Sequence, residues 1–360
     1  MATIRKRGEY QWEAQIRKRG FPPQSKTFNT KAQAEAWASV IESEMVRGVF
    51  ISRAAAERTT LGEIMDRYLA EVTPQHRGSA TESLRLKAMQ RHTLASRPLA
   101  TLSAYDFAKY RDERLKGDPS KGIKPVKPAT VHRELGIFRQ VIEHARREWG
   151  ISMPENPLAL VSRPKVQNAR DRRLEPNEEA YLLAALEVGS GGDATKRNRW
   201  MQPLVKLALE TAMRQGELIS LTWNNIDFKK STAYLPLTKN GDAREIPLSS
   251  KAIAVLKEMP RSIDGQVFPI TQNALQMVWE RALERAKNAY KTDCVNCGKK
   301  PLPTFLANLR FHDLRHEATS RLAEKLSNIL ELASVTGHKD LQMLKRYYHP
   351  RASDLAKKLG

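Results

Sequence analysis

The chain has few cysteines and no long apolar run. Cys294 and Cys297 are its only cysteines, which excludes a disulfide framework and suits a reducing cytoplasm. No apolar stretch approaches the roughly 20 residues that a membrane-spanning helix needs. The basic N-terminus lacks the apolar segment of a signal peptide, and internal repeats and long low-complexity tracts are absent. We therefore expect a cytoplasmic protein without a membrane partner.

Acidic residues are scarce relative to basic ones. The 360 residues contain 40 Asp and Glu against 61 Lys and Arg, which gives a net charge of +21. Such an excess predicts a polyanionic partner. The basic residues are spread over the whole chain rather than along one amphipathic helix, so double-stranded DNA is favoured over an anionic membrane surface.

Residues 1–58 are predicted to form a small basic domain. Apolar residues alternate with polar ones from Tyr10 to Ile16, which is strand periodicity, and a returning strand is expected over Ser25 to Asn29. Thr30 and Gln33 form a capping box before a helical apolar stripe. The expected sheet, backed by one helix, is either a DNA-groove binder or a charged face in water. Its candidate DNA contacts are Arg5, Lys6, Arg7, Arg17, Lys18 and Arg19.

Residues 59–165 are predicted to be a helical DNA clamp. Thr60 and Glu63 form a second capping box, Ser103 and Thr130 begin two further helices, and the apolar stripes repeat at helical spacing. Residues 49–58 before this block, and an extended basic segment after it that includes Arg170 to Arg173, are interpreted as linkers. Candidate phosphate contacts between the stripes are Arg85, Lys87, Arg91, Lys121 and Lys124.

Residues 170–360 are predicted to form one larger α+β domain. Its strands run from Thr232 to Pro236 and from Arg244 to Leu248, joined through the turn dipeptide Asn240-Gly241. The expected fold class is therefore multidomain and mainly α with α+β parts. It comprises a β-sheet-plus-helix N-terminal domain, a helical domain and an α+β domain.

Two polar boxes of the last domain contain candidate site residues. Arg214 begins a helix directly after an apolar one, with Glu217 three residues on to orient it. His312 and Arg315 lie at i, i+3 on one helix face, where a guanidinium fork and a proton carrier can share a phosphate. His316 is expected to serve structure. Taken singly, each box also fits a surface or structural role.

Two further candidates complete the set. Lys239, at the hairpin tip, is either solvated or a general acid held against a departing oxygen. Gly337-His338 is followed, nine residues after the histidine, by Tyr347. A phenol, two guanidinium groups and several proton carriers together predict an attack on a phosphate.

These candidate residues, in this order along the chain, resemble the tyrosine recombinase (phage integrase) family over roughly residues 170–360. The stretches that begin at Glu210 and Met343 are especially similar to shufflon-type DNA invertases. The helical block resembles the family's core-binding domain. The N-terminal block is similar to the arm-binding domain of phage and genomic-island integrases. This combination favours an integrase of a phage or genomic island, with a shufflon-type invertase as the alternative.

The resemblance implies a role for each candidate. Tyr347 would attack DNA to form a 3′-phosphotyrosyl link, Arg214 and Arg315 would stabilise the phosphate, and Lys239 would be the general acid. His312 would assist proton transfer and His338 would hydrogen-bond the phosphate. The spacing from His338 favours Tyr347 over its neighbour Tyr348.

One position departs from the family pattern. Ala212 replaces the usual glycine, which is a mild change if its φ is negative. The resemblance also implies a homotetramer on two synapsed duplexes that carry specific recombination sites. Accessory DNA-bending or directionality factors are candidates for further partners. A C-terminal helix over residues 352–359 would dock on a neighbouring protomer or on its own domain.

No cofactor is expected. The boxes lack a carboxylate cluster for two metals, and transesterification conserves the phosphoester bond energy, so neither metal nor ATP is implied. Cys294-x-x-Cys297 is half of a zinc site, and His312 and His316 are its nearest partners. We interpret the cysteines as free thiols in an inserted loop after a helix over residues 273–290, with zinc as the weaker alternative.

Two functions outside recombination remain open from sequence. One is a non-catalytic architectural or regulatory DNA-binding protein that keeps the fold. The other is a topoisomerase-like enzyme that nicks and reseals DNA. The complete set of candidate catalytic residues argues against the first.

Overall fold

The computed structural model describes residues 2–48, 50, 54–167, 170–189, 197–236, 243–326 and 328–347. The chain divides into two compact units, residues 1–168 and 169–360. The fold is mainly helical with two small antiparallel sheets, as predicted. The predicted division into three domains stays a prediction.

The N-terminal residues fold as a sheet with one helix. Strands β1 (Thr3–Gly8), β2 (Gln11–Ile16) and β3 (Gln24–Phe28) pair antiparallel in that order, and helix α1 (Lys31–Val46) follows. The helix begins where predicted, because the hydroxyl of Thr30 accepts the backbone N–H of Gln33 at 3.2 Å. The inward face of β2 and one face of α1 share a core of Ala14, Ile16, Ala34, Ala38 and Met45.

The helical part of the first unit has its own hydrophobic cluster, with Phe107, Tyr110 and Phe138 fully buried. The predicted box at Thr60 is present, since the backbone N–H of Thr60 donates to Glu63 at 2.6 Å and the backbone N–H of Glu63 donates to the Thr60 hydroxyl at 3.2 Å. The helices are α2 (Ala54–Arg58), α3 (Leu61–Glu71), α4 (Ser79–Gln90), α5 (Ala104–Lys116) and α6 (Pro128–Glu148).

Two boundaries in this unit differ from the prediction. Residues 54–58, interpreted as part of a linker, form α2, and Ala56 is buried in the core. The helix expected to begin at Thr130 begins two residues earlier, at Pro128, because proline at the first helical position has a pre-set φ and needs no N–H partner.

The second unit surrounds a larger core that includes Trp279 and Phe268. Its sheet has the order β4 (Ile226–Asp227), β5 (Thr232–Leu235) and β6 (Arg244–Pro247). The predicted pair of strands is present, and β4 is an additional strand. The helices are α7 (Glu178–Leu186), α8 (Met201–Thr211), α9 (Gln215–Ile219), α10 (Ser250–Glu258), α11 (Gln272–Asn296), α12 (Asp313–Lys325) and α13 (Ile329–Thr336), followed by single 3₁₀ turns over Leu341–Met343 and Lys345–Tyr347.

Helix α11 corrects the interpretation of the cysteine stretch as a loop. The helix continues to Asn296, so Cys294 is a buried helical residue and only Cys297, at the C-cap, is exposed. Gly298 follows the C-cap and has a φ of +66°, which an L side chain rarely adopts and which directs the chain away from the helix. Within the described ranges no cluster of three or more His, Cys, Asp or Glu could hold a metal ion. No described helix is long and apolar enough to cross a membrane.

The cysteine environment predicts unequal thiol reactivity. A maleimide should label Cys297 quickly in the native protein and Cys294 only after unfolding, because burial denies the reagent access. The number of labelled thiols can be followed by mass spectrometry, with Cys297→Ser as the control that should leave only slow labelling. Equal protection of both thiols, lifted by a chelator, would instead support a zinc site.

Candidate active site

Arg315 lies at the centre of the candidate site. Its side chain is 6% exposed, and its two terminal nitrogens donate to the carbonyl oxygens of Ala212 at 2.5 Å and Thr336 at 2.7 Å. Burial, reinforced by the charge of nearby Arg214, lowers the pKa of Arg315 to about 10. The guanidinium therefore remains a cation at neutral pH and joins the ends of α8 and α13.

Arg214 lies at the N-cap of α9, as predicted. Its Nη1 donates to Oε1 of Glu217 at 2.9 Å, and its Nη2 donates to the carbonyl of Gly337 at 3.2 Å. The backbone N–H of Arg214 donates to Oε2 of the same carboxylate at 2.9 Å. Glu217 therefore holds both the backbone and the side chain of Arg214, which is the contact that the sequence spacing predicted.

Glu217 also binds a residue that the sequence analysis missed. Arg244 donates two hydrogen bonds to its carboxylate, at 3.0 and 2.8 Å. Burial alone would raise the pKa of Glu217, but the hydrogen bonds from Arg244 and Arg214 outweigh it and hold the pKa below its usual range. The strand pattern contained the signal for Arg244, because it lies two residues before buried Ile246 and so on the same inward face.

Tyr347 reaches α12 from the last described turn. Its hydroxyl is in hydrogen-bond contact with Nδ1 of His316, and the two rings lie nearly parallel with centroids 5.9 Å apart. Burial raises the pKa of Tyr347, and the charges of Arg346 and Arg315 only partly oppose that rise. His316, for which a purely structural role was expected, is thus in direct contact with the candidate nucleophile.

His338 lies beside Arg315. Its Nδ1 is 2.7 Å from the hydroxyl of Thr336, which donates its own proton to the carbonyl of Leu332. Nδ1 is therefore the donor in that contact, and Nε2 is left as an acceptor 3.4 Å from Nη2 of Arg315. Burial and the nearby arginines lower the pKa of His338 to about 4, so the ring is neutral at pH 7.

His312 lies at the N-cap of α12 with an exposed side chain. Its ring is edge-on to that of His316, with centroids 5.5 Å apart. Partial burial lowers the pKa of His312, and neighbouring His316 and Arg315 lower it further. The structure thus brings five of the six candidate catalytic residues to one region. The sixth, Lys239, lies outside the described residues, as do Tyr348 and the predicted C-terminal helix.

The segment before α7 is attached to α12 rather than solvated. Arg170 makes two hydrogen bonds to Asp313, at 2.9 and 2.7 Å, and Arg173 binds Glu317 at 3.1 Å. Arg172 binds the fully buried Glu178. Residues 170–173 form neither helix nor strand, as expected of a linker, but their arginines are paired with carboxylates and fix the first turns of the helix that contains Arg315.

Ala212 does not have the negative φ that would make it a mild replacement for glycine. Its φ is +51° and its ψ is +24°, in the left-handed region at the end of α8. That conformation costs an alanine about 1–2 kcal/mol, which glycine would not incur. The departure from the family pattern is therefore not mild, and it places strain on the residue whose carbonyl binds Arg315.

The candidate DNA contacts are mostly at the surface. Arg5 and Arg7 both pair with Glu13 on β2, at 3.5 and 3.0 Å, whereas Lys6 lies opposite Trp12 on the other face of the sheet. Lys18 lies over the ring of Phe21. Arg85 is half-buried, and the side chain of Lys121 is not described. Exposed candidates are Arg17, Arg19, Lys87, Arg91 and Lys124.

Comparison with known proteins gives a consistent set of matches. Residues 172–354 match the phage integrase family. A shufflon-specific DNA recombinase of Escherichia coli is 37% identical over 303 residues, 84% of this chain and 72% of the relative. The integrase of Escherichia phage 186 is 27% identical over 358 residues, 96% of this chain and 93% of that protein. A lambda integrase tetramer bound to a Holliday junction shares the fold, with a TM-score of 0.56, 18% identity and coverage of 94% of this chain and 95% of that chain.

The contact between Gly337 and Arg244 predicts the effect of one substitution. In Gly337→Ala the new Cβ would lie 2.5 Å from Nη1 of Arg244, at a backbone φ of +68°. Gly298→Ala is the matched control, because its φ is +66° but no atom lies within 4 Å of the new Cβ. We expect Gly298→Ala to lose about 1 kcal/mol from backbone strain, and Gly337→Ala to lose more. Equal losses of stability in thermal denaturation would show that the side chain of Arg244 moves away from the new methyl group without cost.

Proposed function

The chain belongs to the phage integrase family of tyrosine recombinases, and on that premise we propose that Tyr347 is the nucleophile with which it cuts and rejoins DNA. The enzyme is a site-specific DNA recombinase. The observation that carries the assignment of Tyr347 is its hydroxyl contact with His316, the residue that follows buried Arg315.

The proposed reaction is a reversible transesterification. The phenolic oxygen of Tyr347 bonds to the scissile phosphorus, the P–O5′ bond breaks, and a 3′-phosphotyrosyl link and a free 5′-hydroxyl are formed. A second 5′-hydroxyl then attacks the phosphotyrosyl link and restores the phosphodiester. Because one phosphoester bond replaces another, the exchange requires no external energy source.

Arg214 and Arg315 are proposed to bind the scissile phosphate. The transition state gains negative charge, and preorganised cations held by the protein offset that charge without reorganising. The proposal is supported by their anchoring, since each guanidinium is held by backbone carbonyls at the end of a helix. Lys239 is proposed as the general acid for the 5′ oxygen, and His312 and His338 as further contacts to the phosphate region.

The proposed partner is double-stranded DNA bound by a homotetramer at two recombination sites. A fold neighbour, lambda integrase, forms a tetramer on a Holliday junction, and the net charge of +21 suits a polyanion. We propose an arm-type DNA-binding domain over residues 1–58, a core-binding clamp over 59–165 and a catalytic domain over 170–360. Action on chromosomal DNA would place the enzyme at the bacterial nucleoid.

Integration is proposed as the biological reaction, with inversion as the second candidate. The integrase of phage 186 aligns with 96% of the chain, so the alignment includes most of residues 1–58. Inversion is favoured by the higher identity of the shufflon-specific recombinase. Both reactions use the same chemistry, so the arrangement of DNA sites distinguishes them.

Tyr347→Phe should abolish the covalent protein–DNA adduct, because phenylalanine lacks the attacking oxygen. The substrate is a nicked duplex with one core site from the DNA that flanks the gene, and the adduct is resolved on a denaturing gel. DNA binding in a mobility-shift assay should survive. Tyr348→Phe is the matched control and should retain the adduct. An adduct that persists in Tyr347→Phe and disappears in Tyr348→Phe would reassign the nucleophile, and no adduct from the wild type would favour a non-catalytic DNA-binding protein.

Integration and inversion can be separated with flanking DNA cloned in two arrangements. We expect the enzyme to join two plasmids that each have one site, as an integrase does. The same sites in inverted orientation on one plasmid test for inversion of the intervening segment. Junctions are scored by amplification and sequencing, with Tyr347→Phe as the background. Efficient inversion without joining of separate molecules would assign the enzyme to the invertases.

A further inference from the structure

His316 occupies a position that the roles proposed above leave without a function. It lies on α12 directly after Arg315, its side chain is half-buried, and its Nδ1 is in contact with the hydroxyl of Tyr347. His312, expected to assist proton transfer, lies at the helix N-cap, where its ring is edge-on to the ring of His316. The histidine that contacts the reacting oxygen is therefore not the one that the sequence pattern selected.

We infer that His316 is a catalytic residue whose Nδ1 accepts the proton of Tyr347 as the phenolic oxygen attacks DNA. This inference rests on the proposed role of Tyr347. The phenol loses its proton to Nδ1 while its oxygen bonds to phosphorus. The P–O5′ bond breaks, and the 5′ oxygen takes a proton from the general acid. In the rejoining step the imidazolium returns its proton to the tyrosine.

The electrostatic surroundings of His316 favour the acceptor state. Burial lowers its pKa, and nearby arginines lower it further, while Asp313 opposes them. The ring is therefore neutral at pH 7, and a neutral imidazole can accept the phenolic proton at one nitrogen. The charged and titratable groups that face it come from α12, from the segment before α7 and from the last turn: His312, Asp313, Arg315, Arg170, Arg346 and Tyr347.

The fixed geometry explains why this pair suits a base and its nucleophile. α12 is held by Arg170 on Asp313 and by Arg173 on Glu317, so the position of His316 is set independently of Tyr347. Burial raises the pKa of Tyr347, so few molecules would ionise without an acceptor. A positioned base commonly contributes 10²–10⁴-fold to a proton-transfer step.

His316→Asn provides the first test. The amide can occupy the place of Nδ1 and accept a hydrogen bond, but it does not take up the proton at neutral pH. We expect adduct formation in a single turnover on the nicked duplex to fall by about 10²–10⁴-fold, with DNA binding and melting temperature unchanged. The wild-type rate should fall as pH drops through the lowered pKa of His316, and the variant should lose this dependence. In His312→Asn the dependence should remain.

A second measurement changes the nucleophile instead of the base. Incorporation of 3,5-difluorotyrosine at position 347 gives a more acidic phenol, which needs less help from a base. In His316→Asn it should raise the rate of adduct formation by at least about tenfold, whereas in the protein that keeps His316 it should change that rate little. A wild-type rate and pH profile in His316→Asn would overturn the inference. So would a lost rate that the fluorinated tyrosine fails to restore, which would indicate a structural role.

A third outcome separates this inference from the assignment of the nucleophile. If His316→Asn fails to fold, the test uses the protein that keeps His316 and has 3,5-difluorotyrosine at position 347, and its rate of adduct formation is measured against pH. If the rate falls at the same low pH as in the unmodified protein, His316 is supported as the base. If the fall moves to lower pH with the more acidic phenol, the inference is contradicted. If Tyr347→Phe still forms the adduct, Tyr347 is not the nucleophile, and the proposed function fails before the role of His316 arises.

Discussion

The structure of the second unit depends on the hydrogen bonding of one buried guanidinium, that of Arg315. A buried cation without hydrogen-bond partners would cost a large free energy of desolvation. The backbone carbonyls of Ala212 and Thr336, rather than a carboxylate, accept hydrogen bonds from Arg315. Those carbonyls belong to the ends of two helices, so α8, α12 and α13 converge on one side chain. Because carbonyl dipoles solvate Arg315 without cancelling its charge, the side chain keeps the positive charge that the proposed contact with a phosphate requires.

A second interaction, between two arginines and one glutamate, sets the net charge around Arg315. Arg214 and Arg244 share the single carboxylate of Glu217, so the three arginines and one glutamate leave an excess of positive charge. This excess matches a substrate that brings its own negative charge and gains more in the transition state. Burial lowers the pKa of His338, and the charges of the same three arginines lower it further. The excess of positive charge is thus present in the protein without DNA, as the proposed binding of a phosphate requires.

The features of the fold and site that could be predicted from the sequence are mostly those whose interacting residues lie close together along the chain. Local spacing predicted the helix caps at Thr30 and Thr60, the paired strands and the contact of Arg214 with Glu217, whereas the convergence of Arg315 with His338 was implied by the family resemblance. The pairing of Arg170 with Asp313 spans 143 residues, and no local pattern indicates it. The contact of His316 with Tyr347 was not predicted, because helical spacing places His316 beside Arg315 without revealing that the last turn returns to it. The cysteine stretch was misread as a loop, although its first helix-ending residue is Gly298.

The sharing of Glu217 between two arginines also constrains how the sequence can change. Loss of the carboxylate would leave two like charges side by side, and loss of either arginine would leave the other more strongly neutralised. A single substitution at any of the three therefore alters the charge offered to the phosphate, whereas paired substitutions can restore it. Wherever Arg214 is retained to bind the phosphate, Glu217 and Arg244 are therefore expected to be retained or replaced together over evolutionary time, although one lies in a short helix and the other on a distant strand.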